Sequence, residues 1–194
     1  MTIKIGVLAI QGDIAEHIVM LKRLGVETTE VRLPDHLQGL DGLIIPGGES
    51  TTIGKLAEDF GLMNPIREFG SAHPVWGTCA GAVLMSKDAH SDQPLLRIMD
   101  ITVRRNAFGS QLDSFETDLD IAPLKQATNT DTPFHAIFIR APIIESVSGD
   151  AKVLSTLPDG RIVAAQQGKL LATSFHPELT DDARFHEFFL SLSQ

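Results

Sequence analysis

An α/β domain, with a mainly parallel sheet and helices on both of its faces, is the fold class this sequence predicts. Two observations carry that expectation. Up to about Lys87, β-branched apolar runs alternate with stretches of helical periodicity, and Gly or Pro closes most of them. From Ile98 onward the texture changes to short strands with few helical stretches.

The elements follow in order. Ile3–Ile10 is a β-branched run bounded by Gly12 and reads as a buried strand. Asp13 is placed to cap the next helix, where Ile14, Ile18, Leu21 and Leu24 recur at helical spacing before Gly25 ends it. Val26–Leu33 is a second strand, stopped by Pro34-Asp35. Leu43–Pro46 is a third, and the loop Gly47-Gly48-Glu49-Ser50 follows it. A helix is expected from about Thr51, a shorter one around Pro65–Phe69, a buried strand over Val75–Thr78 and a helix from Ala80 to about Lys87. Such β-α-β alternation implies parallel pairing through crossover helices.

Later strands are expected at Ile98–Arg105, Phe115–Ile121, Phe134–Arg140, Val153–Leu157, Arg161–Gln166 and Leu170–Phe175. Pro158-Asp159-Gly160 and Gln167-Gly168-Lys169 read as tight turns. The polar segment 123–133 reads as a surface loop. A final helix, about Asp181–Leu192, carries Phe185, Phe188, Phe189 and Leu192 on one face. With no internal repeat, low-complexity segment or linker, one domain over residues 1–194 is expected.

Composition narrows the function classes. Apolar residues make up 43% and charged residues 21%, values typical of a soluble globular protein. Lys and Arg number 16 against 25 Asp and Glu, a net charge of −9, and no basic run exceeds Arg104-Arg105. Nucleic acid is therefore not the expected partner. A lone cysteine forms no internal disulfide, no Cys/His cluster suggests a metal, and no cofactor motif stands out. The N-terminus lacks a signal-peptide layout and no stretch approaches the roughly 20 apolar residues of a spanning helix. A cytoplasmic location, away from membranes, is the expectation.

That cysteine is the most informative residue. Cys79 lies in Val75-Trp76-Gly77-Thr78-Cys79-Ala80-Gly81, where a strand turns sharply into a helix. The spacing G-x-C-x-G is the thiol form of the nucleophile elbow G-x-S-x-G. Its glycines let strand and helix backbones pass closely while the central side chain is lifted into the open. The helix dipole at that position favours a thiolate. The competing interpretation is a small buried hydrophobe, the usual fate of an intracellular cysteine.

Ligands of open α/β sheets bind beyond the carboxyl ends of the strands. Gln11-Gly12, Gly47–Ser50 and the Cys79 elbow all fall there. His176 stands at the end of an apolar strand in Thr173-Ser174-Phe175-His176-Pro177-Glu178. Pro177 keeps the chain extended, so His176 and Glu178 point to one side. The carboxylate can take one imidazole N–H and leave the other nitrogen to accept a thiol proton. The alternative is a surface His-Pro turn. The other histidines, His17, His36, His73, His90 and His186, look ordinary, and His135 has room to face the site without any demand that it do so.

Pro46-Gly47-Gly48-Glu49-Ser50 lets backbone N–H groups point at a ligand. A phosphate cradle or a plain turn are the alternatives, and no Walker lysine follows. Beside a thiol nucleophile, an oxyanion hole is the better use, with Gly47 giving one amide and Ala80, directly after Cys79, the other.

Together these residues resemble the class I, triad-type glutamine amidotransferases. The resemblance runs through Gly6–Gly12, Pro46–Thr52, Gly77–Gly81, Arg105–Gly109, Asp113–Glu116, Phe138–Pro142 and Ser174–Thr180. Glu-Ser-Thr-Thr, Arg-Asn-x-Phe-Gly and Phe-Ile-Arg-Ala-Pro narrow it to the vitamin B6 branch. Ala107 departs from the small hydroxyl residue expected there, while its neighbours are intact. The resemblance implies a flavodoxin-like three-layer domain that hydrolyses L-glutamine. Its ammonia would pass to a separate barrel-shaped pyridoxal 5′-phosphate synthase subunit.

Carried over, Cys79 is the nucleophile, His176 the base and acid, and Glu178 the orienter. Gly47, Gly48, Glu49, Arg105, Ile139 and Arg140 match glutamine-binding positions. An arginine suits the substrate's carboxylate, which it can clamp with two parallel hydrogen bonds; an exposed surface charge is the alternative for each. Two other functions remain: a free-standing cysteine hydrolase or peptidase, and a non-catalytic regulatory subunit.

Overall fold

The computed structural model describes residues 2–108 and 114–193. Gly109 and Asp113, each part of a quoted motif, lie outside the described residues.

The parallel half of the sheet is built as the sequence alternation requires. Strands β1 (Lys4–Leu8), β2 (Glu27–Val31), β3 (Gly42–Ile45) and β4 (Val75–Thr78) alternate with helices α1 (Ile14–Arg23), α2 (Ser50–Asp59) and α3 (Met63–Ala72). Helix α4 (Ala80–Met85) then leads away from β4. The chain continues through β5 (Ser86–Asp88), β6 (Met99–Arg104), β7 (Ser114–Leu119), α5 (Ala122–Thr128), β8 (Phe134–Ile139), β9 (Ile143–Val147), β10 (Lys152–Thr156), β11 (Ile162–Gln167), β12 (Leu170–Thr173) and α6 (Arg184–Ser191).

The main sheet runs β2-β1-β3-β4-β12-β11-β9-β6-β5, with β10 also on β11. From β2 to β12 all pairs are parallel, whereas β12 to β6 are joined by antiparallel pairs. A separate two-stranded antiparallel sheet pairs β7 with β8 across the segment that holds α5. The late strands thus extend a parallel core whose centre is β3-β4-β12.

Alternation along each central strand divides the core into two layers. Leu43, Ile45, Val75, Leu170 and Ala172 face α2, α3 and α4 through Ile53, Ile66 and Val83. Ile5, Val7, Ile44, Trp76 and Leu171 face α1, α5 and α6 through Leu21, Leu124, Phe185 and Phe189. Helices therefore cover both faces. No helix of the described residues is long and apolar enough to cross a membrane.

Several sequence expectations need correction. Residues 122–128 form a helix rather than a loop, because Pro123 fits its first turn and Leu124 buries against the aromatic layer; Asn129 ends it in a left-handed conformation. Helix α3 is longer than expected, and α4 stops at Met85, where the chain pairs with β6 as β5. Strand β9 has no sequence expectation. Asp13 makes no side-chain cap for α1; its carboxylate is turned toward the site described next.

Candidate active site

Six loops meet beyond the carboxyl ends of the strands. They follow β1, β3, β4, β6, β8 and β12, and a cavity of about 410 Å³ lies among them. Its volume is in the range of small-ligand sites. Cys79, Ala80, Gly48, Glu49, Arg105, Ile139, Arg140 and His176 line it, together with Asp13 and Asn106.

The elbow at Cys79 has the backbone its glycines anticipate. Cys79 adopts φ 47° and ψ −105°, outside the usual regions for an L-residue. A Cβ on Gly77 would lie 2.5 Å from the Gly81 carbonyl carbon, and one on Gly81 would lie 2.0 Å from the Ile45 carbonyl oxygen. Only glycine lets β4, α4 and β3 approach so closely. The Cys79 N–H donates to the Thr173 carbonyl (2.8 Å), tying the turn to β12. Ala80 is the first residue of α4, so its N–H is among those a helix leaves without an internal acceptor.

Asn106 (φ 48°) and Arg140 (φ 44°) are also left-handed and also line the cavity. Among the described residues, three of the six non-glycine residues with positive φ therefore gather in one place. Strain of this kind persists where surrounding structure over-determines it, and it concentrates at working sites.

His176 and Glu178 are both buried. The His176 Nδ1–H donates to Glu178 Oε1 at 2.7 Å, which leaves Nε2 to face the thiol. Asp13 Oδ2 lies 3.4 Å from the same Nδ1. Burial opposes a charge on the imidazole, but hydrogen bonds with Asp13, Cys79 and Glu178 outweigh it and push the His176 pKa up to about 12. Burial raises Glu178 above the ordinary carboxylate range, while its bond to His176 pulls the other way. The 176–178 segment is anchored by the His176 N–H, which donates to the Ile137 carbonyl of β8 (2.9 Å).

The Gly47-Gly48 loop is packed against the loop after β1. The Asp13 N–H donates to the Gly47 carbonyl (3.0 Å), and the Glu49 N–H donates to Gln11 Oε1 (2.8 Å). A Cβ on Gly47 would fall 2.5 Å from His176 Cε1, and one on Gly12 would fall 1.8 Å from the Gly47 carbonyl oxygen. Both glycines are thus required by close approach, which places Gly47 directly against the imidazole.

Glu49 lines the cavity, but its carboxylate is already engaged. It accepts from the Thr51 and Thr52 N–H groups and from the Thr52 hydroxyl, capping α2. Burial raises it, but the bonds from Thr52 and Thr51 together outweigh that and hold it down at about 2. Arg105 donates to Glu49 Oε1 (3.1 Å), to Thr51 Oγ1 (3.0 Å) and to Gln93 Oε1 (2.8 Å). Arg140 is exposed and has no ion pair among the described residues. The Ile139 carbonyl lies 4.0 Å from Cys79 Sγ.

Every residue expected at the site from sequence is at or beside this cavity. Three others had no sequence signal for it: Asp13, read only as a helix cap; Gln93, in an irregular loop; and His17, which looked ordinary. His17 and His186 are fully buried behind Glu178. His135, by contrast, lies exposed on β8, bonded to Asp118 and Glu116, and takes no part in lining the cavity.

A strained thiol, an imidazole and a carboxylate in series beside a cavity can attack and cleave an acyl compound. Comparison with known proteins agrees with that chemistry. The model of the SNO glutamine amidotransferase family matches residues 7–193. The chain belongs to this family. A pyridoxal 5′-phosphate synthase subunit PdxT from Roseiflexus sp. (strain RS-1) is 55% identical to it, over 97% of this chain and 99% of the relative. The subunit of the same name from Herpetosiphon aurantiacus is 57% identical over the same shares. A solved structure described as a glutamine amidotransferase superposes with a TM-score of 0.90 at 47% identity, covering 97% of this chain and 98% of the other. As an SNO-family glutamine amidotransferase, the chain is an enzyme of the fold class its sequence predicts.

Proposed function

We propose that this chain is the glutaminase of a two-component pyridoxal 5′-phosphate synthase. It hydrolyses L-glutamine to L-glutamate and ammonia through a thioester on Cys79, and hands the ammonia to a separate synthase subunit. The observation that carries the proposal is the series Cys79, His176, Glu178, whose first two members line a cavity shared with Gly48 and Arg140. The PdxT name of relatives more than half identical over nearly their full length supports the branch.

The steps follow from the groups present. His176 Nε2 holds the proton given up by Cys79, as a thiolate–imidazolium pair consistent with its raised pKa, and the sulfur attacks the side-chain amide carbon of glutamine. The resulting oxyanion is held by the Ala80 amide and by the Gly47 loop, each such donor being worth about 2.7–4 kcal/mol. The C–N bond breaks as His176 returns its proton to the nitrogen, which leaves as ammonia. His176 then deprotonates a water that attacks the thioester; the C–S bond breaks, and the sulfur recovers a proton from the imidazolium. Glu178 keeps the imidazole in one tautomer and stabilises its charged form throughout. Arg140 receives the substrate α-carboxylate, and Arg105, fixed by Glu49, Thr51 and Gln93, shapes the same end of the cavity.

A partner follows from the product. Free ammonia in neutral water is mostly protonated and no longer nucleophilic, so direct transfer into a docked synthase avoids that loss. A lone free thiol suits a reducing compartment, which supports the cytoplasm as its location. Adding the barrel-shaped synthase subunit should raise kcat/KM for glutamine by about tenfold or more, ~1.4 kcal/mol. Full activity in the isolated chain, unchanged by that subunit, would favour a free-standing hydrolase.

A further inference from the structure

Behind the cavity lies a line of buried polar groups that the steps above do not use. His186 Nε2 on α6 is 3.0 Å from His17 Nδ1 on α1. His17 Nε2 is in turn 3.2 Å from Thr78 Oγ1 and 3.5 Å from Glu178 Oε2. Both histidines and the Glu178 carboxylate are shut off from solvent. Glu178 Oε2 and His186 Nδ1 have no hydrogen-bond partner among the described residues.

The two orphaned atoms decide where the protons sit. Burial, with His186 and His176 nearby, drives the His17 pKa well below its ordinary value, and burial holds His186 down at about 3. Each ring is therefore neutral and carries one N–H. If His17 donated from Nδ1, the His186 proton would sit on Nδ1 with nothing to receive it, and Glu178 Oε2 would face a lone pair. If His186 donates from Nε2, His17 Nδ1 accepts and His17 Nε2–H points toward Thr78 Oγ1 and Glu178 Oε2. Only an acceptor is then left bare, the less costly arrangement.

We propose that His17, its tautomer set by His186, is a positioning residue for Glu178. It presents Nε2–H to the inner carboxylate oxygen, so the outer oxygen is held ready for His176. The inference rests on the roles given above to Cys79, His176 and Glu178. It extends the series inward by two side chains, from α1 and α6, and ties the geometry of the site to the packing of the helical layer.

His17→Leu and His17→Gln in the full-length chain, with the synthase subunit present, separate this role from simple packing. A glutamine carboxamide restores an N–H near the position of Nε2; leucine does not. Losing the outer partner of a metal-bound histidine typically costs about 10–100-fold, and His17→Leu should lower kcat by the same order, with KM for glutamine within about threefold. Its acid limb should move to higher pH, because Glu178, faced by His176, Asp13 and His17, loses a donor to its charged form. His17→Gln should recover most of kcat and return the limb.

Trp76, the sole tryptophan, touches both rings, so its emission and the Tm report whether each variant keeps its packing. If His17→Leu does not fold, His186→Phe, which removes the donor that fixes His17, should show the same pH shift. Wild-type kcat and pH profile in His17→Leu would overturn the proposal, as would equal loss in the leucine and glutamine variants. Activity surviving in Cys79→Ala or His176→Asn would instead sink the underlying roles, whatever the His17 variants do.

Discussion

Replacing Gly81 by alanine adds one methyl group that faces Ile45 at a residue outside the cavity lining, yet it should nearly silence the enzyme. The new Cβ would lie 2.0 Å from the Ile45 carbonyl oxygen and 2.9 Å from its carbon, where real contacts are essentially never under 3.0 Å. Neither neighbour is a flexible tip; both are backbone at the end of β3. Helix α4 must therefore retreat from the sheet by about 1 Å. Cys79 is the residue before that helix, so the thiol moves with it relative to His176, which is anchored independently through Ile137. A displacement of that size costs about 100-fold in rate.

Stability changes less. Overpacking costs about 1–3 kcal/mol, and the better helix propensity of alanine returns about 1 kcal/mol. The net loss of about 0–2 kcal/mol lowers Tm by at most roughly 8 °C. Steady-state glutamine hydrolysis alongside thermal unfolding reads both effects. Gly70→Ala in α3 is the control: its Cβ would meet only side-chain tips, Ile98 Cδ1 at 3.3 Å and Val75 Cγ2 at 3.4 Å, and kcat should be unchanged. A Gly81→Ala enzyme with full kcat and unaltered Tm would refute the claim that the elbow needs this close passage.

Asp13→Asn should lower the pKa of His176, because a carboxylate that favours the charged imidazole becomes a neutral amide. An imidazole NMR titration reads this directly, and an unmoved His176 would remove Asp13 from the site's electrostatics. Arg140→Ala should raise KM for glutamine by about 10–100-fold with little change in kcat, the loss expected for hydrogen bonds to a charged group. Arg105→Ala should raise KM and also lower Tm, because Glu49, Thr51 and Gln93 lose their shared partner. Unchanged glutamine kinetics in both variants would assign these arginines to structure or to partner binding.

The parallel core was legible because β-branched runs such as Ile3–Ile10 must be buried on both faces, and glycines close them. The elbow was legible because close backbone passage leaves glycine no substitute at Gly77 and Gly81. Helix α5 was not, since Gln126–Asp131 is polar and only Leu124 commits the segment to the core. His17 and His186 were missed for a different reason. Helical spacing shows which face of α1 or α6 is buried, but not that two histidines 169 positions apart meet beneath Glu178. Asp13 was misread because an acidic residue before a helix has a local use as a cap, and only the fold shows that a distant imidazole claims it.

The most direct test of the proposed chemistry is covalent trapping by a glutamine-mimicking electrophile, followed by peptide mass analysis. A single adduct on Cys79, slowed by L-glutamine and abolished in His176→Asn, is the expected result. Labelling that glutamine does not slow, or that proceeds at the wild-type rate without the His176 imidazole, would contradict the assignment of Cys79 and His176 as nucleophile and base.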